Sequence, residues 1–210
     1  GGIYGSGKGV LLDYKMAVKW YRRAAEDDGD AVCQIRGIHN VAVAYREGKG
    51  VPQDDSLAAE WFRKGVDLGD AQCQSDLGTM YIRGGHGVEQ DFDKARELQL
   101  LASAQGFGQA YFNMGNFYAI GDGVEVNLET SFEWYMKAAE QGYADAQYNL
   151  GSMYGQGYGV DANFKKAIGW FEKAAEQGIA DAQCNLGIMY NLGHGVDVNY
   201  KKAIEWYEKA

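Results

Sequence analysis

A Gly-Val dipeptide recurs along this sequence at nearly constant intervals, and this period constrains the fold more than any other feature. The intervals are 41, 37, 36, 36 and 36 residues between the valines Val10, Val51, Val88, Val124, Val160 and Val196. Such a period is typical of repeat proteins, in which each unit buries its apolar side against the next unit. We therefore expect an array of structural units of about 36 residues.

Each unit carries the signals of two helices. Three residues after each valine stands an Asp or Asn, whose side-chain oxygen can accept the free backbone N–H groups at a helix start. These residues are Asp13, Asp54, Asp91, Asn127, Asn163 and Asn199. From Asn163 onward the apolar residues follow the i, i+3, i+4, i+7 stripe of an amphipathic helix, and Gly178 can adopt the left-handed conformation that ends it. A second stripe follows between Ala182 and Tyr190, so each unit is predicted to be a helical hairpin.

These signals predict an all-α fold, an α/α superhelix or solenoid of stacked antiparallel helical hairpins. Residues 1–210 are predicted to form a single array, with a partial hairpin in residues 1–27 and five hairpins from residue 31 to residue 210. The first residues have the register of a helix interior, and so does Ala210. Both ends are therefore expected to be cut inside a repeat.

Two intervals are longer than 36 residues. The first is longer by five, with one extra residue in the turn at residues 26–30 and four around residues 35–40. Four residues are about one helical turn, so the second helix is expected to lengthen without rotating its buried face. The 37-residue interval has its extra residue in the loop at residues 83–87.

The composition argues against several classes of partner. The net charge is −9 and the isoelectric point about 4.8, whereas binding to nucleic acid is driven largely by Lys and Arg. No stretch reaches the roughly 18 apolar residues of a membrane helix. We expect no nucleic-acid partner and no membrane insertion within this segment.

The three cysteines, Cys33, Cys73 and Cys184, cannot all pair and show no disulfide framework. We interpret them as small buried thiols in a reducing compartment. This favours the cytoplasm, with the bacterial periplasm or secretion as the alternative.

No catalytic site, metal site or cofactor is expected. His86 and His194 fall in separate loops three repeats apart, and His39 stands alone on a helix, so they do not form a metal-binding set. The carboxylates recur beside lysines at helical spacing, which is typical of a solvated face rather than of a buried pair for acid–base catalysis. The sequence therefore predicts a protein that is not an enzyme.

Three segments resemble the Sel1-like repeat, a variant of the tetratricopeptide repeat. They are AQYNLGSMYGQGYGV at residues 146–160, AQCNLGIMYNLGHGV at residues 182–196 and FKKAIGWFEKAAEQG at residues 164–178. The similarity covers essentially the whole chain, with local departures at Leu98, Met114 and Val41-Ala42. The resemblance implies a solenoid in which the LGxxY helices line a concave surface and the AxxWYxKAA helices form the outer layer.

A row of polar residues directly precedes the LGxxY motif in five successive helices: Asn40, Asp76, Asn113, Asn149 and Asn185. An Asn amide offers both a donor and an acceptor, so such a row can hold the backbone of an extended peptide. It is similar to the asparagine ladder of a tetratricopeptide domain. Alternatively, each Asn hydrogen-bonds the neighbouring hairpin loop and holds the repeats together. Both interpretations are open on the sequence alone.

Positions near the motif that vary between copies are expected to give specificity. Together with the ladder, the candidate partner-binding residues are His39, Asn40, Arg46, Ser75, Asp76, Thr79, Arg83, Phe112, Asn113, Asn116, Tyr148, Asn149, Ser152, Asn185 and Ile188. This groove would be basic and polar early, then aromatic and apolar from Phe112 onward. A partner segment with acidic residues at one end and apolar anchors at the other would suit it.

The resemblance implies an interaction scaffold or adaptor that binds a protein or peptide partner on its concave face. One alternative is an interaction or regulatory domain of a larger enzyme or envelope protein. Another is a protein that binds peptidoglycan or β-lactams, a function linked to cysteine-rich relatives. This sequence lacks the paired cysteines that bridge each hairpin in those relatives.

Overall fold

The computed structural model describes residues 13–27, 29–85 and 87–210. These residues contain eleven α-helices and no β-strand, which confirms the predicted all-α fold of stacked helical hairpins. Residues 1–12, which include the first part of the predicted partial hairpin, lie outside the described residues, as do Asp28 and His86.

The chain divides into two compact units, Gly1–Phe107 and Gly108–Ala210. The helices of the first unit are α1 Tyr14–Ala25, α2 Ala31–Glu47, α3 Asp55–Asp67, α4 Ala71–Arg83 and α5 Phe92–Ala104. Those of the second unit are α6 Gly108–Ile120, α7 Leu128–Glu140, α8 Ala144–Gln156, α9 Phe164–Glu176, α10 Ala180–Leu192 and α11 Tyr200–Tyr207. Within each unit, helices that are consecutive in the chain pack against each other.

All six predicted helix-capping residues are confirmed. Each side chain accepts the backbone N–H group three residues later at 2.9–3.0 Å, in the order Asp13, Asp54, Asp91, Asn127, Asn163 and Asn199. The predicted stop after α9 is confirmed as well, because Gly178 has a left-handed backbone with φ of +89°. The periodic Asp or Asn therefore fixes where α1, α3, α5, α7, α9 and α11 begin.

Helix α2 has the predicted extra length, with 17 residues where α4, α6, α8 and α10 each have 13. The extra turn occupies residues 31–34, at the helix start, rather than residues 35–40. The reason is Asp30, whose carboxylate accepts the N–H groups of Val32 and Cys33 at 3.0 and 3.2 Å and starts the helix there. The buried face is unchanged, since Val41 and Ala42 stay fully buried in the Leu-Gly register.

The glycine of the LGxxY motif is explained by the aromatic ring that covers it. A Cβ atom at Gly115, Gly151 or Gly187 would collide with the ring of Tyr135, Phe171 or Tyr207, respectively, on the following helix. Tyr135 and Phe171 are each 4% exposed, whereas Tyr207 is 44% exposed. Burying a large apolar side chain contributes about 1.5–3 kcal/mol. In the hairpins of α6 with α7 and of α8 with α9, the glycine lets the two helices approach closely enough to bury the ring.

Candidate partner-binding surface

The helices that carry the LGxxY register, α2, α4, α6, α8 and α10, are called the inner helices from here on, and the others are the outer helices. The five ladder residues, Asn40, Asp76, Asn113, Asn149 and Asn185, are all half-buried on the inner helices. The Asn40 amide donates to the carbonyl of Arg36 at 2.8 Å, and Asn113 accepts from the Gln109 amide at 3.1 Å. Both of these bonds run to a residue four positions earlier in the same helix, not to a hairpin loop.

Asp76 joins the two inner helices of the first unit. Its carboxylate accepts from His39 Nε2 at 2.8 Å and from Arg46 Nη1 at 2.9 Å, both on α2. Partial burial raises the pKa of this carboxyl, but the hydrogen bonds and positive charge of its partners outweigh burial, so the pKa lies below its usual value of 3.8. Three residues predicted separately from the sequence thus form one ionic cluster.

Ser75 faces the interior instead of the surface. Its side chain is 2% exposed, and its hydroxyl donates to the side-chain oxygen of Gln99, which is fully buried, at 2.9 Å. The Gln99 amide in turn donates to the Ser75 carbonyl at 2.8 Å. Ser75 is therefore left out of the surface described below.

The side chains two residues before the motif leucine pack against the outer helix of the same hairpin. Ring centroids lie 5.7–5.8 Å apart in three hairpins, in the pairs His39–Phe62, Phe112–Tyr135 and Tyr148–Phe171. Ser75 and Gln99 replace the ring pair in the hairpin of α4 and α5. The sequence does indicate these pairs. The outer-helix residue directly after the tryptophan position is aromatic in the three hairpins with a ring pair, whereas Gln99 stands there in the hairpin of α4 and α5.

The ladder residue Asn149 lies near the preceding hairpin. The Tyr135 hydroxyl on α7 donates to Asn116 at 2.6 Å. Burial raises the pKa of Tyr135, and the polar side chains of Ser131 and of Asn149 on α8 act in the opposite direction. In the next hairpin, the position equivalent to Tyr135 is Phe171, which has no hydroxyl group. Asn185 accordingly has no side-chain hydrogen bond within the described part of the chain.

The remaining candidates differ in exposure. Thr79 donates to the carbonyl of Ser75 at 3.0 Å, while Ser152 is half-buried on α8. Arg83 is exposed at the end of α4, and Ile188 on α10 is 43% exposed. In the second unit α8 and α10 pack against each other, which brings Ser152 and Ile188 onto neighbouring inner helices.

The cysteines only partly fit the interpretation as buried thiols. All three are free, but only Cys73 is buried, while Cys33 and Cys184 are exposed. Burial raises the pKa of the Cys73 thiol well above its usual value. Across residues 13–27, 29–85 and 87–210, no group of three or more His, Cys, Asp or Glu side chains is arranged to hold a metal ion. No helix in these ranges is long and apolar enough to cross a membrane.

Stacked hairpins with a fixed polar register on their inner helices define a repeat protein of the α-solenoid class. More narrowly, the chain belongs to the Sel1 repeat family. The family model matches residues 1–28, 35–70, 71–107, 108–143, 144–179 and 180–210. These matches coincide with the hairpins, and only residues 29–34, around the extra turn of α2, lie between them.

Solved structures support the same assignment. A Sel1 repeat protein from Oxalobacter formigenes is 31% identical with a TM-score of 0.89, over 98% of this chain and 82% of that one. The protective antigen c5321 of uropathogenic Escherichia coli, which has the same repeat fold, is 36% identical with a TM-score of 0.85. That match covers 99% of this chain but only 43% of c5321. The immunity protein Pa5087 from Pseudomonas aeruginosa is 25% identical with a TM-score of 0.61, over 95% and 74% of the two chains. No curated protein sequence matches the chain significantly.

Proposed function

We propose that this chain is an interaction scaffold that binds a segment of a partner protein on the exposed faces of its inner helices. Sel1 repeats commonly form non-catalytic scaffolds for protein interactions. The observation that carries the proposal is on α10, where the unbonded amide of Asn185 lies one helical turn from the exposed Ile188. An amide beside an apolar side chain can bind a peptide backbone and an apolar anchor together.

Neither of these two side chains belongs to the buried core of the hairpin, since Asn185 is half-buried and Ile188 is exposed. Leu186 and Met189 on the same helix supply its buried contacts, at 0% and 6% exposure. On the neighbouring α8, Ser152 holds the position equivalent to Ile188, and both Ser152 and Tyr148 are half-buried. Tyr148, Ser152, Asn185 and Ile188 are named the inner surface of the second unit. We propose this inner surface as the partner-binding site of that unit.

The test is affinity capture with the wild-type chain and with a variant that blocks the inner surface, Ser152→Arg with Ile188→Arg. Long charged side chains at these positions should abolish capture of specific partners without unfolding the hairpins, because neither residue is buried. The control is Val126→Arg with Tyr158→Arg, which alters two exposed loop side chains and adds the same charge. Proteins retained by the wild type and the control but lost by the blocked variant support the proposal. Equal capture by all three chains would refute it.

A peptidoglycan- or β-lactam-binding function has no such observation in its favour. The three cysteines are free, and none bridges a hairpin.

A further inference from the structure

A pocket of about 520 Å³ lies in the first unit, where the N-terminal half of α2 faces the start of α4. Apolar side chains line one part of it and polar groups the other. The residues that matter here are Val32, Ile35, Arg36, Asn40, Asp70 and Gln72. A pocket of this size is large enough for a few residues of a peptide.

The extra turn of α2 builds one wall of this pocket. Val32 lies in that turn, outside the segments that the Sel1 repeat model matches. It is an apolar residue with 59% of its surface exposed, and it stands one turn before the half-buried Ile35. The repeat fold does not require the turn, since the other inner helices begin four residues later in register. The pocket is thus a feature of this chain rather than of the repeat.

Arg36 is the cation of the pocket whose charge is not already balanced by an ion pair. Its guanidinium forms no salt bridge within the described part of the chain. The nearby acids accept other hydrogen bonds. Asp30 accepts the N–H groups of Val32 and Cys33, and its pKa is lowered mainly by hydrogen bonds to Cys33 and further by the charge of Arg36. Asp70 accepts the Cys73 N–H at 2.7 Å, and Asp76 accepts from His39 and Arg46. An arginine prefers a carboxylate partner, with which it forms paired hydrogen bonds.

We infer that this pocket binds a partner segment in which an apolar side chain is next to an acidic one. The apolar side chain lies on Val32 and Ile35, and the carboxylate accepts from Arg36. The amides of Asn40 and Gln72 bind the backbone of the segment. This inference rests on the proposed scaffold function and adds the chemistry of the segment that the first unit recognises.

The test uses the ¹⁵N-labelled chain and the capped peptide acetyl-Ser-Leu-Glu-Ser-amide, followed by NMR titration. We expect chemical-shift changes at the backbone amides of Val32, Arg36 and Gln72. The peptide with Gln in place of Glu should bind about tenfold more weakly, and so should the Glu peptide to an Arg36→Gln variant, since each loses a charged hydrogen bond. Lys201→Gln removes an exposed charge on α11 and should bind the Glu peptide like the wild type.

Two results would overturn the inference. One is shift changes that avoid these three residues, and the other is equal affinity for the Glu and Gln peptides in wild type and Arg36→Gln. A circular dichroism melt of Arg36→Gln verifies that the variant is folded. The outcome is separable from that of the proposed function, which is tested on Ser152 and Ile188. Capture that depends on those residues while the peptide fails would leave the scaffold function standing and reject only this pocket.

Discussion

A Cβ atom placed on Gly151 would lie 2.5 Å from Cδ1 of the Phe171 ring, much closer than two carbon atoms approach without displacement. The ring is 4% exposed and belongs to the core of its hairpin, so it has little room to move. Gly169, in the middle of α9, is the opposite case, because a Cβ atom there meets nothing within 4 Å. The same residue type is thus required at one position and dispensable at the other.

Gly151→Ala should lower the free energy of unfolding by about 1–3 kcal/mol, since the added methyl group forces the ring or the helix to shift. Gly169→Ala should raise it by about 0.5–1 kcal/mol, because alanine favours the helix and nothing obstructs it. Urea denaturation of the two variants and the wild type measures both changes. Two variants of equal stability would show that the ring contact does not fix the motif glycine.

Residues whose partners are close in sequence could be predicted, and those with distant partners could not. The cap at Asn163 bonds a group three residues away, so the sequence pattern showed it directly. Ser75 was predicted to line a surface, but it is buried. Its partner Gln99 is 24 residues away on another helix, so the local sequence does not show the contact. Only the register of both helices together shows that a polar pair replaces the ring pair there.

At the scale of the helices, the ion pair of Asp76 with Arg46 and its hydrogen bond with His39 hold α2 against α4. The folded-state pKa of Asp76 lies below its usual value of 3.8, so its stabilising contribution is complete above that value. The contribution is lost as the pH falls through the lower, folded-state pKa. The sequence indicated this residue only as one more member of the ladder, because an ion pair across 30 or more residues leaves no local pattern.

The stability difference between the wild type and Asp76→Asn should therefore shrink as the pH falls from about 5 to about 3. Urea denaturation at intervals across this range gives the difference at each pH. An Asp145→Asn variant, which changes an exposed acid in the first turn of α8, serves as the control for a general effect of lost charge. A difference that stays constant or grows toward pH 3 would contradict the assignment of the ion pairs.

The ladder residues Asn149 and Asn185 differ in their surroundings. Asn149 lies near the Tyr135 hydroxyl, which belongs to helix α7 of the preceding hairpin and not to a hairpin loop. For Asn185, the residue equivalent to Tyr135 is Phe171, which has no hydroxyl group to form a hydrogen bond. The two ladder positions thus differ in the aromatic residue on the preceding outer helix, which carries a hydroxyl group at Tyr135 and none at Phe171.

At the scale of the molecule, the period predicted the number and order of the hairpins from α2 onward. The outer helices begin at Asp or Asn caps, and α3, α5, α7 and α9 are each followed by a glycine with positive φ; both signals act locally. The interval that spans the division between Phe107 and Gly108, from Val88 to Val124, is 36 residues like the two intervals that follow it, so the period does not mark the two compact units. The choice of partner was not predictable either, since it depends on which side chains stay exposed after the rings have packed.

The claim that the inner surface binds a partner is tested most directly by two alanine variants, Asn149→Ala and Asn185→Ala. For each, the melting temperature is measured together with the dissociation constant of a partner identified by capture. Asn149→Ala should lower the melting temperature, because it removes a polar neighbour of the Tyr135 hydroxyl on a buried side chain. Asn185→Ala should leave the melting temperature unchanged and weaken the partner about tenfold. An Asn185→Ala variant that melts early but binds its partner like the wild type would contradict the account.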